Sequence, residues 1–304
     1  MLLPRYDRTS RGFIVVAVLW ILAALSALVL IYLTFVTNTA VVVAASTDRI
    51  QADALVTAGV ELAAYQLTAV GAEARPSSGT FNARMGAARV TVTFRSEAAR
   101  IDLNAAPKGL LAGLIIGLGS APANAANYAD RILAWRAPSE AGEDDSETSS
   151  YRTAGIAYAP RHAPFPAAEE LWLVRGIPPA VVERMLPFVT AFSNMASINI
   201  QDAAPQVVAA LPGMTPERLQ AVLSQRSDPR SDPRSLVGLV GGEGATLAAS
   251  RAYRMTVGID FDSGRRTAAE VVILLLEEGD EPYRVLSWRN ASDGATAPQR
   301  AALR

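Results

Sequence analysis

From Phe13 to Val36 the chain runs 24 residues without a charge, after a segment that carries Arg5, Arg8 and Arg11. The run exceeds the roughly 18 residues that suggest a membrane-spanning helix, and also the roughly 7–15 of a signal-peptide core. No Ala-x-Ala-like cleavage site follows it. Beyond it Val43, Ile50, Ala54, Val60, Ala64 and Leu67 recur at helical spacing with no intervening proline. The pattern predicts one helix from about Ile14 to Leu67, apolar all round at first and amphipathic later. The arginines before the run keep the N-terminus cytoplasmic, which puts everything after about Val36 on the other side of the membrane.

The pattern then changes. A loop at Arg75 to Thr80 ends the helix, and Val90, Val92 and Phe94 alternate with Arg89, Thr91, Thr93 and Arg95 as in a half-buried strand. From Ile101 to about Gly238 the texture is helical, with short Pro/Gly breaks. Tyr253 to Phe261, Thr267 to Glu278 and Tyr283 to Arg289 read as three more strands. The breaks at Asp262-Ser263-Gly264 and Glu278-Gly279-Asp280 favour hairpins. The expected fold is α+β. Its long N-terminal helix packs on an antiparallel sheet whose first strand precedes a large all-α insertion and whose other strands follow it.

The insertion contains an internal echo. IDLNAAPKGLLAGL begins at Ile101 and INIQDAAPQVVAAL at Ile198. Each reads as an extended apolar–polar–apolar piece, a polar cap candidate (Asn104, Asp202), then Ala-Ala-Pro opening a helix with Pro107 or Pro205 in its first turn. Two helical modules follow from this, and they resemble helix-hairpin-helix units. Gly117-Leu118-Gly119, Gly176-Ile177-Pro178 and Gly213-Met214-Thr215 stand at helix–turn–helix joints. In nucleic-acid-binding versions such turns offer amides to a phosphate. Here the second and third joints lack the second glycine, and a packing hairpin is the favoured reading.

Charge and composition support that choice. The formal net charge is −1, with one lysine (Lys108) and one histidine (His162), which does not suit a binder driven by phosphate neutralisation. There is no cysteine, so disulfides and thiol chemistry are excluded. No nucleophile–His–acid set is visible, and no catalytic residue is named. His162, without a partner His or Cys, reads as a hydrogen-bonded structural residue. Glu169-Glu170 stand at a helix start, where acids are favourable. SDPRSDPRS (227–235) and GLVGGEG (238–244) read as linkers.

Glu140, Glu143, Asp144, Asp145 and Glu147 form an acidic run. It reads first as a solvated loop. The alternative is a calcium site, since clustered carboxylates supply the oxygens calcium takes, although the spacing is not that of an EF-hand.

Arg11-Gly12-Phe13 sets a basic leader, a glycine and a hydrophobic residue directly against the apolar run. This resembles the prepilin-type signal, in which a dedicated peptidase cuts after the glycine and the apolar helix is retained. Most pilins carry a glutamate five residues into the mature chain; here that position is Ala17.

Taken with TDRIQADALVTAGVELAAYQL, RIDLNAAP, YAPRHAPFPAAEELWLVRGI and SINIQDAAPQVVAALPGM, these features are similar to the type II secretion system minor pseudopilin K family (general secretion pathway protein K). The resemblance spans nearly the whole chain and includes the missing glutamate. It implies cleavage between Gly12 and Phe13, with N-methylation of Phe13. It also implies a tip complex with minor pseudopilins I and J that initiates a pseudopilus and supports export of folded proteins across the outer membrane. Contacts with the major pseudopilin, the inner-membrane assembly platform and the prepilin peptidase go with that role. So does a single-pass inner-membrane location with the bulk of the chain in the periplasm.

The expected division is a leader at 1–12, a transmembrane helix at 13–36, an amphipathic helix and first strand at 37–100, a helical insertion of two helix-hairpin-helix or SAM-like modules at 101–240, and the remaining strands with a tail at 241–304. The chain departs from the family around the acidic run. Trp135 is followed by Arg136-Ala137-Pro138 where acids are usual, and His162 stands where asparagine is common. Glu147 and Tyr151 match the family's acidic–aromatic pair, and for the calcium that some relatives bind in this region the resemblance makes Asp144, Asp145 and Glu147 the candidate ligands. The alternative reading is a membrane-anchored minor pilin or DNA-uptake protein that binds DNA through its helix-hairpin-helix modules.

Overall fold

A computed structural model describes residues 10–138, 146–228, 230–241 and 244–291. The chain divides into two compact units, Met1–Leu55 and Val56–Arg304. The first unit is the leading part of helix α1 (Ser10–Thr68). Its stretch Phe13–Phe35 is long and apolar enough to cross a membrane, and none of it is buried against protein. A helix satisfies its own backbone hydrogen bonds, which is what permits a segment of this composition to sit in lipid.

In the second unit the end of α1 carries Val56, Val60, Ala63, Ala64 and Leu67 on one buried stripe. Gly59 lets that stripe approach the sheet closely, since a Cβ there would lie 3.1–3.2 Å from Val90, Val92 and Val257. Arg75 closes the helix by donating from Nε to the Leu67 carbonyl at 3.0 Å.

The sheet opens with β1 (Ser78–Met85) and β2 (Ala88–Ser96), joined by a turn in which Gly86 has φ +58°. β2 alternates as expected, with Val90, Val92 and Phe94 buried. β1 corrects the sequence reading, which ended its loop at Thr80 and placed no strand there. SGTFNARM lacks an apolar alternation because β1 is a half-buried edge strand. Polar pairs with β2 hold it, Thr80 Oγ1 to Thr93 Oγ1 at 3.1 Å and Thr91 Oγ1 donating to Asn82 Oδ1 at 2.7 Å.

The helical block follows. It contains β3 (Ile101–Asp102), α2 (Lys108–Gly117), α3 (Pro122–Arg136), α4 (Ser146–Thr153), a 3-10 helix (Ala168–Leu173), α5 (Pro179–Met185) and β4 (Val189–Thr190). Then come β5 (Ile198–Asn199), α6 (Pro205–Ala209), α7 (Pro216–Ser227), α8 (Arg234–Val240) and β6 (Ala245–Thr246). β3 pairs in parallel with β4, and β5 with β6. Leu103, Leu110, Leu111, Leu114, Ile132, Leu171, Met185, Ile200, Val208 and Val222 share one core.

Two expectations fail here. α8 bridges the two stretches read as linkers and buries Leu236 and Val240. A pair of apolar positions in seven residues is too little periodicity to announce a helix. Asn104 and Asp202 are not N-caps: α2 and α6 are preceded by Pro107 and Ala204 with no side-chain cap. The polar residues stand too far before the helices and are used elsewhere.

The chain returns to the sheet through β7 (Ala252–Phe261), β8 (Arg266–Leu275) and β9 (Tyr283–Ala291), all antiparallel. The order is β1-β2-β7-β8-β9. The helical block thus departs from one central strand and returns to its neighbour. Three of the five strands lie where the sequence puts them, and β2 where its alternation puts it.

Candidate functional site

The two echoes fold alike. Ile101 and Asp102 pair with Val189 and Thr190, while Ile198 and Asn199 pair with Ala245 and Thr246. Asp102 Oδ1 accepts the backbone N–H of Asn104 at 2.7 Å, and Asn199 Oδ1 accepts that of Gln201 at 2.9 Å. Each strand–turn–helix is then gripped by an arginine from a later helix. Arg136 at the end of α3 donates to the Leu103 and Ala106 carbonyls, the latter at 2.8 Å. Arg226 near the end of α7 donates to the Ile200 and Ala203 carbonyls at 3.3 and 2.6 Å. Burial lowers the pKa of both guanidiniums; Asp102 partly offsets this for Arg136 and Asp202 for Arg226. Arginine suits the task because its planar fork supplies several donors in fixed directions. The sequence reading found the echoes but not these arginines, which follow each echo at different distances.

Asn104 is tied inward as well. Its side chain donates to the carbonyls of Phe165 and Ala191 at 2.9 and 3.2 Å and accepts the Phe165 N–H at 2.6 Å.

The surroundings of the acidic run are partly in view. Asp144 and Asp145 lie outside the described residues, as do Glu140 and Glu143. Glu147, in the first turn of α4, pairs with Arg131 at 3.0 Å. Among the described residues no three His, Cys, Asp or Glu side chains gather as metal donors. Glu147, the one candidate ligand among the described residues, is thus engaged by a cation.

Tyr151 is packed between Trp135 and Tyr158, at ring-centroid distances of 6.1 and 5.8 Å. Its hydroxyl accepts the Arg175 N–H at 2.6 Å, and burial raises its pKa. His162 has φ +52°, a backbone region that few side chains adopt. Its Nδ1 lies 3.1 Å from the Ala137 carbonyl and its Nε2 3.1 Å from the Thr148 hydroxyl. The lone histidine therefore pins together the chain on either side of the acidic run, a structural use in keeping with its sequence reading.

A third group joins the sheet to the helical block. Glu97, in a 3-10 helix (Glu97–Ala99) directly after β2, is 1% exposed. Its Oε1 accepts from Arg254 Nε at 2.7 Å and its Oε2 from Arg254 Nη2 at 3.2 Å. Oε2 also accepts from the Thr190 hydroxyl. Arg254 donates in addition to Glu270 on β8. Burial pulls the Arg254 pKa down, but Glu97 and Glu270 together outweigh it and leave it raised. Nothing in the local sequence around Glu97 marks it, because its partners lie 93 and 157 residues away.

Gly12 and Phe13 stand in the first turn of α1, and Ala17 one turn further on.

Residues 92–194 match the model of the family described as type II secretion system (T2SS), protein K. No curated protein matches the chain. A chain in the crystal structure of the GspK–GspI–GspJ complex from the type 2 secretion system of enterotoxigenic Escherichia coli is similar in fold. Its TM-score is 0.55 at 18% identity, over 81% of this chain and 98% of that one. The family match bears out the resemblance read in the sequence over residues 92–194, and the structural likeness bears out the fold. The matched residues run from β2 through Glu97 and β4, so they span the passage from sheet to helical block.

Proposed function

We propose that this chain is a minor pseudopilin of the type II secretion system, of the K kind, at the tip of the pseudopilus with minor pseudopilins I and J. The observation that carries the reading is the protein K match across residues 92–194, the segment in which the sheet gives way to the helical block. On this reading the prepilin peptidase cuts between Gly12 and Phe13, Phe13 becomes the methylated N-terminus, and the helix Phe13–Phe35 stays in the inner membrane. The rest of the chain lies in the periplasm. The assembly platform and the major pseudopilin are its further partners.

The chemistry of the N-terminus fits a terminal subunit. A buried carboxylate five residues into a pilin neutralises a neighbour's amine, and without such a neighbour it would be an unpaired charge in an apolar bundle. Ala17 avoids that cost. On this reading the helical block, two helix-hairpin-helix or SAM-like modules, is the bulk that blocks further stacking of subunits.

This reading assigns no catalytic role and calls for no nucleic-acid partner. Two arginines near the glycine turns are occupied within the fold: Arg131 pairs with Glu147 beside Gly176, and Arg184, near Gly119, donates to the Ala180 carbonyl.

The test is co-expression with minor pseudopilins I and J from the same organism. The reading expects a ternary complex that survives size-exclusion chromatography in detergent; a chain that elutes alone under those conditions overturns it.

A further inference from the structure

Among the described residues, polar ties cross from the sheet to the helical block at each edge and at the centre. At the β1 edge the Ser78 hydroxyl donates to Asp202 Oδ1 at 2.7 Å. At the β9 edge Arg289 pairs with Glu169, both about half exposed. At the centre Glu97 receives Arg254 from β7 and Thr190 from β4. Burial ranks them. An exposed ion pair contributes little, because water already solvates both partners. A carboxylate at 1% exposure has given up its hydration, and every donor it loses leaves charge uncompensated in a poorly screened interior.

Glu97 also sits at the pivot. Its 3-10 helix is one of the two chain crossings between sheet and block. The other crossing reaches β7 through Ser250, whose Oγ lies 3.0 Å from that of Ser96. A block swinging about these adjacent crossings would carry Thr190 away from Glu97. Arg254 would not follow, since β7 and Glu270 hold it.

We propose that Glu97 is a positioning residue: its carboxylate, clamped on the sheet side by Arg254 and on the block side by Thr190, fixes the attitude of the helical block on the sheet. For a tip subunit, and resting on that reading, a fixed attitude lets partner surfaces be composed jointly from sheet and block. The clamp itself does not depend on the function.

The absence of native cysteine permits a direct test. Spin labels at Thr80→Cys on β1 and Gln220→Cys on α7, both exposed positions, report the sheet-to-block distance in the full chain in detergent by pulsed electron resonance. The unsubstituted chain is expected to give one narrow distance population. Glu97→Gln, which removes the charge, and Thr190→Val, which removes the block-side donor and with it the acceptor of the Phe192 N–H at 3.2 Å, are each expected to broaden or split it while helix and strand content stay constant. An unchanged population in Thr190→Val, or in a folded Glu97→Gln chain, overturns the proposal. Should Glu97→Gln fail to fold, Thr190→Val decides alone, because it leaves the Glu97–Arg254 pair intact. No secretion machinery is involved, so the outcome is separate from that of the ternary-complex experiment.

Discussion

Asp102 and Asn199 hold equivalent posts in the two halves of the helical block and face opposite partners. Asp102 Oδ2 accepts from the Ser193 hydroxyl at 2.9 Å and the Asn194 N–H at 2.7 Å. Asn199 Nδ2 donates to the Leu247 and Ala248 carbonyls at 2.9 and 3.2 Å. One post needs an acceptor and the other a donor, and both residues are buried.

The two residues should therefore not be interchangeable. Asn199→Asp sets a carboxylate against two carbonyl oxygens, and Asp102→Ala strands three donors. Each is expected to cost about 3 kcal/mol or more, because unsatisfied buried polar groups carry their full desolvation penalty. Urea unfolding of the full chain in detergent would measure this. A loss below about 0.5 kcal/mol for either, the range of ordinary surface substitutions, would remove the argument.

Gly113 marks where α2 meets α6. A Cβ there would lie 2.3 Å from the Ala210 carbonyl oxygen, a backbone atom that cannot rotate aside. Gly113→Ala is expected to destabilise the block by about 1–3 kcal/mol, the usual range for overpacking. Gly109, on the same helix, has open space around it, and Gly109→Ala should be neutral or slightly stabilising. Thermal unfolding of the two variants side by side checks the contrast.

Tyr253 predicts an alkaline limb. Its hydroxyl donates to the Pro76 carbonyl at 3.0 Å, and burial pushes its pKa up to about 12 from the ordinary value of 10.0. The folded chain thus holds this proton more tightly than the unfolded one. The resulting stability is fully present below about pH 10 and is lost as the pH climbs towards 12. Tyr253→Phe is expected to be weaker at neutral pH, lacking the hydrogen bond, yet to show a shallower fall across that window. Equal slopes in the two proteins would count against the assignment.

The N-terminus offers the most direct check on the functional reading. Intact-mass and peptide analysis of protein from membranes should find a methylated Phe13 only when prepilin peptidase is present. An uncut Met1 start beside an active peptidase would make the apolar stretch a plain anchor. Ala17→Glu is expected to impair assembly through an unpaired intramembrane carboxylate; unimpaired secretion would show that the position tolerates the charge.

Elements with a repeating apolar signal were legible in the sequence: α1, β2, the three C-terminal strands and the paired echoes. β1 and α8 were not, because each exposes too many of its own residues to show a period. The same holds for the residues that join parts. Arg136 and Arg226 could be sought only once the echoes were known to be clasped by something. Glu97 reads as one more charge in RSEAAR until the fold brings Arg254 and Thr190 to it. Asp144 and Asp145 lie outside the described residues, and of the proposed ligand set only Glu147 has a partner to report.

The hydroxyl contact between Ser96 and Ser250 has an evolutionary and a practical side. The points at which the chain leaves the sheet and comes back to it are neighbours, 154 residues apart in sequence but 3.0 Å apart at their side chains. Strand register is set by β2 on β7 and takes no account of what lies between them. Such a junction accepts cargo: a domain whose own termini lie close together can be spliced in without disturbing the host. A plain five-stranded sheet could have acquired its helical block in one such event, and a fluorescent or affinity module could be grafted at the same seam today.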